Sequence, residues 1–249
     1  MRDLANALEL FARTAREAAE RSALQERLTT KFLASAAVLP EFITGLAGSY
    51  TLLYAGEQPV ATYRTLHFDT EQMAFFHAHR RGYRLREKAR IRHYDDRQLS
   101  YFEIKQRISD GRTVKLRRAR PFGDDVLHAD DLALLHHSTG MRGEILPQVW
   151  TLFNRLTLVH TVDDERATVD FNLRFRDDGQ VIDLPDAVII EVKQPRLNRR
   201  SAVMVALQRQ RIRSREFSKY CAALVALRPG IRHGRLRPRL RAFERIMHG

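Results

Sequence analysis

The sequence predicts an α+β fold, in which a closed antiparallel β-barrel carries helices at its margins. Short runs that alternate apolar and polar residues recur through the middle of the chain, and such alternation is typical of strands. Turns rich in aspartate and glycine, at 109–111 and 177–179, separate these runs and favour antiparallel hairpins. The chain has 249 residues, 44% of them hydrophobic, which is enough for one sizeable core. Many hairpin-linked strands with flanking helices indicate a barrel.

The order of the elements follows from the period of the hydrophobic pattern. The predicted strands are Thr30 to Leu33, Ala61 to Asp69, Arg86 to Tyr94, Ser100 to Ile108, Arg112 to Arg120, Gln148 to His160, Arg166 to Arg176 and Ala187 to Gln194. Helices are predicted near Glu71 to His79, from Asp124 to Gly140 and, as the longest one, from Ser201 to Leu227. We divide the chain into an N-terminal amphipathic helix at 1–22, a main domain at 23–227 and a basic tail at 228–249.

The charge balance indicates an anionic partner. Lysine and arginine number 43 against 30 acidic residues, a formal net charge of +13, which suits nucleic acid, anionic lipid or phosphate without choosing among them. The single cysteine, Cys221, forms no internal disulfide, so a reducing cytoplasm is expected. Charges interrupt every apolar stretch, so the chain is predicted to have no transmembrane segment of its own. A membrane-protein partner, which would place it at the inner face of a membrane, stays open.

Long cations alternate with apolar residues along several predicted strands. Side chains two apart on a strand share a face, so Lys88, Arg90 and Arg92 point the same way. The same alternation aligns Glu103 with Lys105 and Arg107, Lys115 with Arg117, Thr168 with Asp170, Asn172 and Arg174, and Glu191 with Lys193.

Two interpretations of these polar faces compete. Each face taken alone fits the solvated side of an amphipathic strand. Together, however, the faces carry mainly long cations, and the opposite faces are apolar enough to be covered by the flanking helices. The charged faces would then point at one another inside the barrel, where like charges repel strongly unless a counter-ion is present. We therefore favour an interior that binds a polyanion.

Seven segments resemble a known family in their order and spacing. They are YRTLHFDT, KARIRHY, FEIKQR, TVKLRR, TVDFNLRF, VIIEVKQ and FSKYC. The family is the vacuolar transporter chaperone (VTC) domain of the triphosphate tunnel metalloenzyme (CYTH-like) superfamily, and the resemblance runs from about Glu26 to Leu227. It implies an eight-stranded antiparallel tunnel whose basic interior holds polyphosphate, with Mn²⁺ or Mg²⁺ bound by tunnel carboxylates.

The first motif of the superfamily, E-x-E-x-K, is altered in this chain. Arg27, Thr29 and Lys31 stand at its three defined positions, so both carboxylates are missing and the lysine remains. This substitution resembles the VTC branch. The resemblance then makes Glu191 the principal metal ligand, with Glu103 and Asp170 as further acidic candidates.

The resemblance and the strand pattern together assign the site residues. Asp69, at the end of its strand, is expected to cap or turn the chain. Arg64 shares a face with Leu66 and Phe68, so its direction is open. We assign Lys88, Arg90, Arg92, Lys115 and Arg155 to catalysis, and Lys31, Lys105, Lys219, Arg64, Arg174 and Lys193 to substrate binding.

The resemblance implies a polyphosphate polymerase that transfers the terminal phosphate of ATP, with ATP and inorganic polyphosphate as partners. A triphosphatase of the same fold and a non-catalytic polyphosphate-binding module are the alternatives. Charge alone would also allow a nucleic-acid-binding protein. Because the chain lacks a recognisable reader motif and its cations alternate along strands, no specific nucleic acid is expected.

Overall fold

A ten-stranded antiparallel sheet forms the body of the protein. The computed structural model describes residues 2–14, 28–108, 113–141, 143–236, 241 and 243. The strands are β1 (Leu28–Ser35), β2 (Tyr50–Leu52), β3 (Val60–Thr70), β4 (Arg86–Tyr94), β5 (Leu99–Arg107), β6 (Thr113–Arg120), β7 (Ile145–His160), β8 (Arg166–Arg176), β9 (Val181–Leu184) and β10 (Ala187–Gln194). The turn predicted at 109–111 lies outside the described residues, although β5 and β6 pair across it.

Eight of the strands form one curled path, in the order β1-β10-β8-β7-β3-β4-β5-β6. The short strands β2 and β9 pair with β7 and β8 beside this path. The two ends, β1 and β6, are not paired with each other, so the prediction of a closed eight-stranded barrel is wrong. A physical reason lies at the outer edge of β1, where the amide of Arg215 donates to the carbonyl of Lys31 at 2.8 Å. That edge is already hydrogen-bonded to another part of the chain.

Helices cover the outside of the sheet and one part of its inside. They are α1 (Arg2–Leu8), α2 (Leu39–Thr44), α3 (Ala74–Arg81), α4 (Ala129–Thr139), α5 (Ala202–Arg209) and α6 (Lys219–Leu227), with 3₁₀ turns at Ala36–Val38, Asp95–Arg97 and Gly234–Leu236. None of the helices in the described ranges is long and apolar enough to cross a membrane.

Three helix predictions are wrong in extent, and one of them, from Asp124 to Gly140, begins only at Ala129. The single helix predicted from Ser201 to Leu227 is two helices, because Arg211 adopts a φ of 56° and the chain then runs extended to α6. The helix predicted over 1–22 ends at Leu8, and Arg13 forms a bridge with Leu52 instead. Residues 15–22 of that prediction lie outside the described ranges.

Three apolar clusters hold these layers together. The first packs α1, α2 and α5 on the outer face of β1, β10, β8 and β7, and includes Phe42 and Val169. The second packs α6 on the inner face, where Leu33, Phe153 and Phe217 meet. The third covers the outer face of β3, β4 and β5. Because apolar residues cover the outside, the charged faces of the strands lie within the curl, as the alternation predicted.

The described part of the C-terminal tail packs onto the second cluster. Leu236 and Phe243 are each only 2% exposed there. The side chain of Arg228 donates to the backbone carbonyl of Gln148 at 2.9 Å. The start of the tail therefore belongs to the folded domain.

Candidate functional site

Basic side chains from both halves of the sheet converge on its concave face. Lys31 of β1 donates to the carbonyl of Phe217 at 3.1 Å, and Lys88 of β4 donates to the hydroxyl of Ser218 at 2.9 Å. Distant strands therefore meet at one pair of neighbouring residues. We define the basic chamber, within the described part of the chain, by nine cations: Lys31, Lys88, Arg90, Arg92, Lys105, Lys115, Arg155, Lys193 and Lys219.

Asp170 fixes two of these cations at the centre of the chamber. Its carboxylate is fully buried, accepts two hydrogen bonds from the guanidinium of Arg155 and forms an ion pair with Lys219. Burial alone would raise the pKa of Asp170, but the charges of Arg155 and Lys219 outweigh it and hold this pKa below its usual range. The same pairing raises the pKa of Arg155 in spite of its burial. Arg155 is therefore held rigidly and stays charged.

Glu103 plays the same part on the other wall of the chamber. It is 1% exposed, and its carboxylate lies 2.6 Å from a guanidinium nitrogen of Arg90 and forms an ion pair with Lys115. Burial would raise the pKa of Glu103, but Arg90, Arg92 and Lys115 lower it far below its usual range. The carboxylate is therefore ionised at any ordinary pH.

Glu191 is the third chamber carboxylate. The ammonium of Lys31, its direct cross-strand neighbour, lies 3.1 Å from it. Burial opposes ionisation, yet the charges of Lys31, Lys219 and Arg155 hold the pKa of Glu191 well below its usual range. All three carboxylates are therefore charged, and they leave the chamber with a large excess of positive charge.

Burial and this excess of positive charge lower the pKa values of the chamber lysines. Burial, with the charges of Lys31, Lys105 and Arg90, lowers the pKa of Lys88 from 10.5 to about 7. Burial likewise lowers the pKa of each of three further lysines, Lys105, Lys193 and Lys219, to about 8. A multivalent anion would relieve the repulsion and raise these pKa values.

Between pH 7.5 and 9, tripolyphosphate affinity is expected to fall while the free protein becomes more stable. In this window the unfolded chain binds more protons than the folded one, because the pKa of Lys88 lies near 7 in the fold and near 10.5 outside it; stability therefore rises with pH. A bound anion raises the pKa values of the chamber lysines, so the protein takes up protons when tripolyphosphate binds. Calorimetric titrations at pH 8 in two buffers of different ionisation enthalpy measure the uptake, and proton release would contradict the prediction.

The three carboxylates do not form one metal-binding cluster. Glu103 lies with Arg90, whereas Asp170 and Glu191 lie on the neighbouring strands β8 and β10. Among the described residues, no group of three or more histidine, cysteine or acidic side chains is placed to hold a metal ion. The structure therefore does not bring the candidates Glu103, Asp170 and Glu191 together in one metal-binding group, and Glu191 as the principal metal ligand stays a prediction.

Glu191 still fits a divalent ion that arrives with phosphate. Thr168 lies directly opposite Glu191 on β8, and its hydroxyl is buried without a hydrogen-bond partner in the described part of the chain. Mg²⁺ and Mn²⁺ prefer oxygen ligands, and Mg²⁺ commonly takes one or two carboxylates together with substrate phosphates. The pair therefore offers oxygen ligands on one side of the chamber.

Two predicted site residues lie outside the chamber. Arg64 occupies the outer face of β3 and pairs with Asp95 at 3.0 Å. Arg174 is exposed and pairs with Asp183. The alternation that aligned Arg174 with Asp170 fails at Asn172, which has a φ of 50° and lies where the pairing of β7 and β8 shifts register. The predicted shared face of Asp170 and Arg174 is therefore wrong.

The profile of the VTC domain matches residues 26–122 and 128–228, which is most of the chain. The chain belongs to the VTC domain family. No curated protein matches its sequence significantly.

Solved structures resemble this VTC domain in fold. A candidate adenylate cyclase from Bacillus halodurans is 12% identical, covers 78% of this chain and 95% of its own, and superposes with a TM-score of 0.52. A Hippeastrum protein, a candidate adenylyl cyclase described as having a dominant triphosphatase activity, is 13% identical over 80% of this chain and 96% of its own, with a TM-score of 0.47. At 12% identity, the likeness to the Bacillus halodurans structure shows the fold alone.

A stacked pair of aromatic rings holds three cations of the VTC domain chamber. Tyr63 and Phe153 face each other across β3 and β7, with ring centroids 5.2 Å apart. The guanidinium of Arg155 lies 4.9 Å from the Tyr63 ring, that of Arg92 lies 5.4 Å from it, and the Lys219 ammonium lies 4.4 Å from the Phe153 ring. Such contacts attract cations without neutralising them.

Sequence reasoning missed His67, which lies on the chamber side of the VTC domain. It faces Arg90 across β3 and β4, and Nε2 lies 3.1 Å from the hydroxyl of Thr151. Burial and the charges of Arg90, Lys88 and Arg92 lower the pKa of His67 well below its usual value, so the ring is neutral. Strand alternation contained the signal, because His67 is three residues beyond Arg64 and therefore on the opposite face.

Asp69 anchors the start of α3 and links it to α6. Its carboxylate accepts hydrogen bonds from the amides of Phe75 and Phe76 at the start of α3, and from the hydroxyl of Tyr220 in α6 at 2.6 Å. This confirms that Asp69 caps the chain and shows how α6 is fixed to the sheet. Lys219, at the start of α6, is thereby positioned against Asp170.

Proposed function

We propose that this VTC domain is a metal-dependent polyphosphate polymerase that transfers the terminal phosphate of ATP to a polyphosphate chain. The observation that carries the proposal is the basic chamber, where nine described cations face only three described carboxylates. Family membership supports a function related to polyphosphate or triphosphate. A cytoplasmic setting and a membrane-protein partner stay predictions.

The chamber suits phosphoryl transfer because this reaction needs positioning and charge stabilisation more than covalent help from the protein. Arginine binds phosphate oxygens through two parallel hydrogen bonds, whereas lysine acts as a compact charge. Arg155, held by Asp170, and Arg90, held by Glu103, are already oriented before a ligand arrives. They would stabilise charge on the non-bridging oxygens with little reorganisation.

No protein nucleophile is needed for this reaction. Cys221 is buried in α6, and burial raises the pKa of its thiol, so it is assigned no catalytic role. An oxygen of the terminal phosphate of the growing chain would attack the γ-phosphorus of ATP, the bond to the β-phosphate would break, and ADP would leave. Chamber residues then have to align the attacking oxygen with the phosphate of ATP, and to exclude water.

Glu191 and Thr168 are the residues proposed to hold a divalent ion. When bound, Mn²⁺ or Mg²⁺ would neutralise phosphate charge and polarise the phosphoryl group. The nearby cations Lys31, Lys219 and Arg155 disfavour a metal ion without phosphate. We therefore propose that the ion enters as a complex with the substrate.

A single assay separates the polymerase from its alternatives. Purified protein is incubated with ATP and Mn²⁺ or Mg²⁺, and the products are analysed for polyphosphate and free phosphate. Growing chains would support the polymerase, and free phosphate alone would support a triphosphatase. The missing carboxylates at Arg27 and Thr29 count against the triphosphatase, so a binding module is the second candidate. Tight binding without any turnover would support it.

Glu191→Gln is expected to reduce metal-dependent turnover by about a hundredfold or more, because it removes the proposed charged ligand. Polyphosphate binding measured in EDTA should stay equal or become tighter, since one negative charge has gone. Asp183→Asn, an exposed acid outside the chamber, is the matched control. Unchanged metal-dependent turnover in Glu191→Gln would show that the metal is held elsewhere.

A further inference from the structure

The outer edge of β1 is covered by residues 212–217, the chain between α5 and α6, which we name the edge segment. Ser214 forms an antiparallel bridge with Phe32, and the amide of Arg215 donates to the carbonyl of Lys31 at 2.8 Å. The edge segment therefore lies where an additional strand would lie. It is at the end of the sheet that faces the gap between β1 and β6.

Alternation along the edge segment determines which of its side chains face the chamber. Ile212 packs against the first apolar cluster, on the outer face of β1. Phe217 packs with Leu33 in the second cluster, on the inner face. Residues two apart in an extended chain share a face, so Arg213 and Arg215 lie on the inner side with Phe217.

These two arginines have no acidic partner in the described part of the chain. Arg213 is exposed and Arg215 is half-buried. Residues 195–215 contain seven arginines and no aspartate or glutamate, and Glu216, the one acidic residue of the edge segment, alternates to the face opposite Arg213 and Arg215. In contrast, Arg90 and Arg155 inside the chamber are each fixed by a carboxylate. The two side chains are therefore available to an anion from outside the protein.

We propose that the edge segment forms the last wall of the basic chamber, and that Arg213 and Arg215 bind phosphates of a linear polyphosphate. This inference rests on the proposed function for its ligand class. Two arginines at alternate positions of an extended segment are about 7 Å apart along the strand. That separation suits a linear polyanion lying along β1 better than a single compact phosphate.

The test compares two double variants that lose the same charge. Arg213→Gln with Arg215→Gln alters the edge segment, whereas Arg196→Gln with Arg200→Gln alters exposed arginines in the loop after β10. Affinities for tripolyphosphate and for long-chain polyphosphate are measured by calorimetry over a range of salt concentrations, and thermal unfolding verifies folding. A third variant, Arg213→Lys with Arg215→Lys, keeps both charges.

The edge pair is expected to weaken long-chain polyphosphate binding about tenfold or more, and to lower the slope of log affinity against log salt by about two. The loop pair should change affinity less than about threefold, and the lysine variant should retain most binding. Equal losses from both glutamine pairs, with native binding intact, would overturn this inference alone. Absence of polyphosphate binding by the native chain would overturn the proposed function as well.

Discussion

Replacing Arg90 and Arg92 together with glutamine is expected to weaken tripolyphosphate binding about a hundredfold or more. Both side chains project from β4 into the basic chamber, and Arg92 is oriented by a hydrogen bond of 3.1 Å from Nε to the hydroxyl of Thr65. Each charge-assisted hydrogen bond contributes about 1.5–3 kcal/mol, so losing one from each arginine accounts for at least this change. Isothermal titration calorimetry at fixed salt measures it.

The matched control is the pair Arg174→Gln and Arg176→Gln on β8. These residues have the same spacing and the same charge, but both are exposed, and Arg174 pairs with Asp183. Their loss should change affinity by less than about threefold, since only long-range attraction is reduced. Equal effects in the two pairs would mean that overall charge, not the chamber, attracts the ligand. Full affinity in the β4 variant would place the binding site elsewhere.

Glu103→Gln is expected to lower stability and to raise anion affinity. Its carboxylate is 1% exposed between Arg90 and Lys115, so its loss leaves two cations without their partner. Breaking a buried pair costs about 3–5 kcal/mol; because Arg90 and Lys115 are partly exposed, we expect about 2–3 kcal/mol here. Affinity for tripolyphosphate should rise roughly tenfold as a repelling charge is removed. Thermal unfolding and calorimetry measure both effects.

The same variant tests whether Glu103 binds metal. If Glu103 only neutralises cations, its replacement tightens tripolyphosphate binding equally in EDTA and in Mn²⁺. If it held the ion, affinity in Mn²⁺ would fall while affinity in EDTA rose. Asp183→Asn is again the control, because this exposed acid pairs with Arg174 outside the chamber and its loss should change neither measurement.

The sequence predicted the strands well where alternation is regular. The bounds predicted for β4, β8 and β10 are those of the structure, and those for β3, β5, β6 and β7 differ by three residues or fewer at each end. The short strands β2 and β9 were not predicted, because three or four residues contain too little pattern. Most of the predicted chamber cations converge, because side chains two residues apart on an uninterrupted strand lie on the same face of the sheet.

The wrong predictions arise where distant contacts override local pattern. Asn172 interrupts the alternation of β8 by one residue, and every side chain beyond it changes face, including Arg174. The apolar spacing around Ile212 continues a helical pattern, yet the edge segment is extended because it hydrogen-bonds to β1. Closure of the barrel was inferred from the many hairpin-linked strands and from the family resemblance, but strand alternation contains no information about which edges meet.

The ring pair of Tyr63 and Phe153 holds cations in place without adding a negative charge beside them. A carboxylate holds an arginine still but cancels the charge that a phosphate would meet, and the remaining attraction is weaker. The rings hold Arg92, Arg155 and Lys219 through their electron-rich faces and contribute no net charge. Arg155 and Lys219 are also paired with Asp170, whereas Arg92 is held by the Tyr63 ring and the Thr65 hydroxyl, which are uncharged, so its charge still reaches the bound chain.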